Sequence, residues 1–290
     1  MKKIGTTIAA VAMLSFSFSC LAQTKYWIFL KDKNTTDAPA ISPKTLQNRL
    51  QQGLTLSDET DLPVKKEFLQ QLQTADCQTL NLSRWFNAVS ARLTAEQLQA
   101  VQSLPFVSKV QPINGQFYIA KTQPNRRSAM APVMTQVQAD EFKKAGLNGK
   151  GITIGVIDAG FLEAPTNNLL KHIFDRKAIL DKRDYVNPPL TYSDKFYTTA
   201  ETFSDFHGTE VMSAISGANR SESAQNGLAT ESQFYLARTD HGTREFRGEE
   251  DNWVAAMEWM DSLGVRLINT SLGYAQGFSD PNETYQINHI

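Results

Sequence analysis

The sequence predicts a parallel α/β domain preceded by a small α+β module, and three observations carry that expectation. Residues 152–157 form a short apolar run of mainly β-branched side chains, the composition of a strand buried on both faces of a parallel sheet. Residues 233–237, a helical pattern over 252–263 and another apolar run over 265–270 repeat the strand–helix–strand alternation of a βαβ unit, whose strands run parallel. Upstream, residues 24–111 alternate short strand and helix patterns in a stretch with room only for a compact two-layer module.

In chain order, residues 1–22 read as an export signal. Lys2 and Lys3 give a basic start, residues 8–18 an apolar run, and Cys20-Leu21-Ala22 the small residues for cleavage before Gln23. The run is well short of the ~20 residues that cross a bilayer, which argues against a membrane anchor. The alternative is a lipoprotein anchored through Cys20, although Ser17-Phe18-Ser19 match that signal poorly. On either reading Cys77 is left alone, so no internal disulfide staples the fold.

The aromatic-rich run 26–30 predicts a buried strand. Residues 63–72 place Val64, Phe68, Leu69 and Leu72 at helical spacing, with Pro63 suited to a first turn. Trp85, Val89, Ala91 and Leu93 alternate as in a half-buried strand. Thr94 and Gln97 form a capping box for a helix that buries Leu98 and Val101; Pro105 ends it, and residues 106–110 begin the next strand. Residues 123–132, with two prolines and little periodicity, read as an exposed linker. Beyond it, residues 208–215 predict a helix with Val211, Ala214 and Ile215 on one stripe and Gly217 as its stop.

Composition narrows the function without identifying it. Twenty-nine basic and 30 acidic side chains leave a net charge of -1, which excludes a strong electrostatic footprint for nucleic acid or an anionic membrane. No Gly-x-Ser-x-Gly elbow marks a serine hydrolase of that type, and no His-Glu-x-x-His marks a metalloprotease.

Three segments carry chemistry. Asp158 ends the 152–157 strand ahead of Ala159 and Gly160, at the edge where catalytic groups gather in open α/β sheets. An Asp-x-Gly sequence by itself more often caps a turn. His207 opens a helix in Asp205-Phe206-His207-Gly208-Thr209, where Gly208 permits close backbone approach and the imidazole can face a cleft; a solvated helix-start histidine is the plainer reading. Asn269-Thr270-Ser271-Leu272-Gly273 ends the last strand, either as plain core or as an edge that pairs with an extended peptide. A second His-Gly-Thr, at His241-Gly242-Thr243, lies in a polar loop with no apolar helix directly behind it and reads as a decoy.

Taken together these segments resemble the catalytic domain of subtilisin-like serine peptidases, with triad members in the order Asp, His, Ser. Residues 85–110, notably Trp85-Phe86-Asn87-Ala88-Val89-Ser90-Ala91, resemble that family's propeptide. The resemblance implies a subtilisin-like parallel sheet with helices on both faces, incomplete in this sequence, behind a ferredoxin-like α+β propeptide. Its expected division is a signal peptide (1–22), an inhibitor-like propeptide (24–120), a linker (121–132) and a catalytic domain (133–290).

It further implies a secreted endopeptidase with Asp158 as triad acid, His207 as general base, and Ser271, Leu272 and Gly273 on the substrate-binding strand. The partners implied are polypeptide substrates and the propeptide as intramolecular inhibitor. Ala159 stands where the family often has a hydroxyl residue. The oxyanion asparagine and the Gly-Thr-Ser nucleophile are expected beyond Ile290, so the 290 residues alone are expected to be inactive. The alternative is a short product acting as a binding or inhibitory module. No cofactor is expected; calcium is common in the family, but no acidic loop identifies a site.

Overall fold

A computed structural model describes residues 23–33, 36–113, 131–187, 194–219, 221, 224–241 and 247–273. The expected signal peptide lies outside the described residues, as does all but the end of the expected linker. Two sheets organise the chain. The first contains β1 (Thr24–Leu30), β2 (Thr79–Ser83), β3 (Ala88–Leu93) and β4 (Val107–Ile113) in the order β2-β3-β1-β4, with every pairing antiparallel. Its helices are α1 (Pro43–Gln51), α2 (Lys66–Thr74) and α3 (Ala95–Gln102).

Strand alternation gives this sheet two unlike faces. Ile28, Leu30, Val89, Ala91 and Leu93 turn to one side and pack with Leu72, Val101 and the half-buried Phe68 and Leu98 of the helices. The Thr94–Gln97 capping box forms as expected: Gln97 N donates to Thr94 Oγ1 at 3.2 Å and Thr94 N to Gln97 Oε1 at 2.9 Å. Two boundaries differ from expectation. Pro63 precedes α2 without entering it, and Trp85 lies in the turn before β3, where Asn87 takes a left-handed φ of 48°.

The second sheet contains β5 (Thr153–Asp158), β6 (Ile179–Asp184), β9 (Gln233–Arg238) and β10 (Leu267–Thr270), ordered β10-β5-β9-β6 and parallel throughout. Between β6 and β9 lie α7 (His207–Ser216) and a small ribbon of β7 (Ala218–Asn219) and β8 (Ala224–Gln225). The helices α4 (Ala131–Gln136) and α5 (Ala139–Lys144) precede the sheet, α6 (Lys171–Asp175) follows β5, and α8 (Glu250–Ser262) joins β9 to β10. Helices cover both faces. Ile154, Val156, Phe234 and Leu236 pack with Ile173 and Met212 on one side; Ile157 and Ala237 pack with Ala256, Trp259 and Met260 on the other.

The inner side of α7 differs from the expected stripe. Thr209, Met212, Ser213 and Ser216 are buried while Ala214 is exposed. The two serines fit because Ser213 Oγ donates to Thr209 O at 2.8 Å and Ser216 Oγ to Met212 O at 3.0 Å, so their hydroxyls enter the core satisfied. Gly217 ends the helix in extended, not left-handed, backbone; a Cβ there would lie 2.3 Å from Ser213 O.

The other face of the first sheet docks on α8 through polar side chains. Asp251 is fully buried and meets one side chain from each of three strands: Lys25 Nζ at 2.6 Å, Asn81 Nδ2 at 2.7 Å and Ser90 Oγ at 2.6 Å. Two turns on, the Glu258 carboxylate accepts from Ser83 Oγ at 2.5 Å, Arg84 N at 2.8 Å and Trp85 N at 3.3 Å. The last carbonyls of α8 accept from α1, since Thr45 Oγ1 lies 2.9 Å from Ser262 O and 3.2 Å from Asp261 O, groups that every helix end leaves open; Asn48 Nδ2 donates to Gly264 O, just past the helix, at 3.0 Å.

Candidate active site

The site forms at the carboxyl ends of the parallel strands. The strand β5 has β9 on one side and β10 on the other, the reversal at which open α/β sheets form a crevice. Asp158 ends β5 with its side chain fully buried. Its Oδ1 accepts from Ala159 N at 2.8 Å and lies 2.7 Å from His207 Nδ1. Oδ2 is buried with no hydrogen-bond partner among the described residues.

Two glycines let the segments holding this pair meet. Gly208 N donates to Gly160 O at 2.8 Å. A Cβ on Gly208 would lie 2.5 Å from Gly160 O and 3.0 Å from Asp158 Cβ, and one on Gly160 would lie 2.5 Å from Asp205 O. Both are backbone approaches that only glycine allows. Thr209 Oγ1 then donates to Leu162 O at 2.7 Å and Leu162 N to Asp205 O at 2.8 Å, tying the loop after Asp158 to both sides of His207.

The imidazole of His207 remains 44% exposed. The hydrogen bond with Asp158 raises its pKa above the ordinary histidine value; burial opposes that shift, and the charges of Asp158 and Glu210 support it. With Nδ1 engaged by a buried carboxylate, Nε2 is the nitrogen available for proton transfer at the open edge.

The structure therefore brings Asp158 and His207 together. Ser271, Leu272 and Gly273 leave β10 at the same end of the sheet, since Thr270 pairs with Ile157. Ser271 Oγ bonds Asn269 Oδ1 at 3.1 Å, and among the described residues a Cβ on Gly273 would meet nothing within 4 Å. His241 stands apart from the pair, with Nε2 3.1 Å from Glu201 Oε2. Among the described residues no group of three or more His, Cys, Asp or Glu side chains could hold a metal ion, and no helix is long and apolar enough to cross a membrane.

Sequence reasoning passes over Arg238 and Asp205, which meet behind the pair at 2.8 Å. An arginine closing a mainly apolar strand, with an aspartate two residues before His207, is the available signal.

A parallel α/β sheet thus carries a buried aspartate against a helix-start histidine, and a separate antiparallel module covers one of its helices. Comparison with known proteins gives the family. Residues 25–129 match the peptidase S8 propeptide domain of Bacteroidota, and residues 149–289 match the subtilase family. The chain belongs to the subtilase family of serine peptidases.

It is 27% identical over 139 residues to the minor extracellular protease Epr of Bacillus subtilis, a match covering 47% of this chain and 18% of Epr. A structure of the epidermin leader peptide processing serine protease EpiP of Staphylococcus aureus, in variant form, superposes with a TM-score of 0.52 at 11% identity. That superposition covers 86% of this chain and 50% of EpiP and shows the shared fold. A second EpiP structure gives a TM-score of 0.47 at 13% identity over 86% of this chain and 49% of that one. The chain thus spans about half the length of these solved relatives.

Proposed function

We propose that this chain is the propeptide and the amino-terminal part of the catalytic domain of a secreted serine endopeptidase, with Asp158 and His207 as two members of its triad. The observation that carries the reading is the 2.7 Å contact between His207 Nδ1 and the fully buried Asp158 carboxylate. The nucleophilic serine is assigned to a part of the protein beyond the 290 residues. Matches that span 18% of Epr and 50% of EpiP are consistent with that assignment.

In this mechanism Asp158 Oδ1 accepts the Nδ1 proton of His207 and fixes the tautomer with its lone pair on Nε2. Nε2 takes the serine Oγ proton as Oγ bonds to the scissile carbonyl carbon, and the carbonyl electrons move onto the oxygen. Collapse of that oxyanion breaks the C–N bond while Nε2–H protonates the departing amine. Water then repeats the sequence on the acyl-enzyme and releases the acid. The carboxylate that raises the His207 pKa stabilises the imidazolium formed in both halves. Ser271, Leu272 and Gly273, which follow β10, line the position of the substrate residue before the scissile bond, where no described residue would meet a Cβ on Gly273.

The first sheet, held by Asp251 and Glu258, serves as an intramolecular inhibitor until the chain is cut near the linker. Residues 1–22 direct export, consistent with the extracellular relative Epr. Expression of the complete coding frame tests the whole reading. The full product should cleave casein, His207→Ala should abolish cleavage, and the exported form should begin at Gln23. Casein cleavage undiminished in His207→Ala would overturn it.

A further inference from the structure

We infer that Arg238 is a positioning residue that holds Asp158 and His207 in register. Its side chain is 2% exposed, at the end of a strand whose other inward residues are apolar. In the sheet ladder Arg238 pairs with Asp158 of β5 on one side and with Asp184 of β6 on the other. One charged residue from each of three neighbouring strands therefore stands in a single row at the carboxyl edge.

The guanidinium reaches both supports of the catalytic pair. Its Nε donates to Ala159 O at 2.8 Å, the carbonyl next after Asp158. Its Nη2 donates to Asp205 Oδ1 at 2.8 Å, two residues before His207. Its Nη1 lies 3.5 Å from Asp184 Oδ2.

Each carboxylate is anchored at its other end. Asp205 Oδ2 accepts from Glu201 N at 2.8 Å and Thr202 N at 2.6 Å, setting the turn that delivers His207 into α7. Asp184 Oδ1 accepts from Val186 N at 2.9 Å and Asn187 N at 3.0 Å. A planar fork can meet three acceptors lying in different directions; a single ammonium nitrogen cannot do so in the same geometry. The guanidinium bonds Ala159 O and Asp205 and not the side chain of Asp158 or His207, so its action is on the backbone that aims them. This inference rests on the pair described above.

The test follows the His207 ring by NMR in the full chain, where the charged neighbours of the ring are Asp158 and Glu210. Arg238→Lys keeps the buried charge and loses the fork. The triple variant Arg238→Met, Asp184→Asn, Asp205→Asn removes both the fork and the carboxylates it would leave unpaired. In each, the His207 titration should move down toward the ordinary histidine value, and its deshielded Nδ1 proton signal should broaden or vanish while far-UV circular dichroism is retained. In the complete enzyme, kcat should fall roughly 10²-fold with KM unchanged, the scale expected for a misplaced catalytic group.

Folded variants with an unaltered His207 titration would overturn the inference. So would failure of both variants to fold, which would make Arg238 a structural brace only. Asp158→Asn separates this from the site reading. If His207 ignores Asp158→Asn the pair itself is wrong, whereas a response to Asp158→Asn but not to Arg238→Lys sinks only the positioning role.

Discussion

Replacing Lys25 by methionine keeps the side chain's length and removes one charge from the contact between the two modules. In the structure Lys25 Nζ lies 2.6 Å from Asp251 Oδ1 and 3.0 Å from Gly248 O, with 10% of the side chain exposed and none of its partner's. Removing one member of a buried ion pair costs about 3–5 kcal/mol, chiefly because the other charge stays buried. Asp251 keeps two neutral donors, Asn81 and Ser90, which places the cost near the lower end, about 3 kcal/mol. At about 1.4 kcal/mol per decade that is roughly a 10²-fold loss of docking affinity.

The assay uses the full chain with a specific cleavage site placed within residues 114–130. After cutting, release of the first module from an immobilised second module is followed in real time. Lys25→Met should release about 10²-fold faster, since changes within one interface act mostly on the off-rate. The double variant Lys25→Met, Asp251→Asn should recover part of the loss, because it leaves no unpaired buried charge while the amide oxygen still accepts from Asn81 and Ser90. Release at the parent rate in Lys25→Met would refute the reasoning, showing that Asn81 and Ser90 alone satisfy Asp251.

Three further outcomes are expected. Gly208→Ala drives a Cβ to 2.5 Å from Gly160 O and 2.8 Å from the Phe161 ring, so it should destabilise the fold by about 1–3 kcal/mol and lower the His207 titration, read by denaturant melts and NMR. Because the folded pKa of His207 is raised by Asp158, the pair's contribution to stability is complete below the ordinary histidine pKa and is lost as pH rises through the folded value. Thermal melts from about pH 5 to about pH 9 should show that loss in the parent and not in Asp158→Asn. Burial, with a smaller push from Asp76, raises the Cys77 thiol to about 11, so iodoacetamide at neutral pH should leave it unmodified until denaturant is added; rapid labelling of the native chain would refute its burial.

The elements legible in the sequence are those whose burial is apolar and periodic. Four of the six residues of β5 are β-branched, the composition that suits a strand covered by two helical layers, and the run announces a parallel strand without help from context. The Thr94–Gln97 box is local chemistry that needs no tertiary partner. By contrast α1 is not legible, because its contacts are polar: Thr45 and Asn48 bond the end of α8 while Leu46 and Leu50 remain exposed. No apolar stripe exists there for periodicity to find. The inner side of α7 misleads for a related reason, since Ser213 and Ser216 enter the core by bonding their own helix.

The same distinction governs the site. Asp158 and His207 are legible because strand end and helix start are sequence features, and the apolar helix behind His207 separates it from His241. The brace formed by Arg238, Asp205 and Asp184 is not, because an arginine closing a strand normally reaches solvent. Only the convergence of three strand ends and a returning turn makes its burial favourable.

The surface that α8 presents to the first sheet bears on how that module can be both tightly seated and released. A wholly apolar contact would leave the second module with an aggregation-prone patch once the first departs. Here the groups covered include Asp251, Glu258 and the Ser262 carbonyl at the end of α8, each satisfied by the first sheet or by α1 while docked and each well hydrated when bare. Water can therefore replace the lost partners. The second module need not repack its core either, since Ala256 and Met260 of α8 pack against Ile157 and Ala237 of its own sheet. Polar docking also concentrates recognition in a few directional bonds, so a sheet lacking the lysine, asparagine and serine that meet Asp251 would bury that carboxylate without partners and be rejected. On the proposed function, the contact that holds the propeptide is thus also what restricts the enzyme to its own inhibitor.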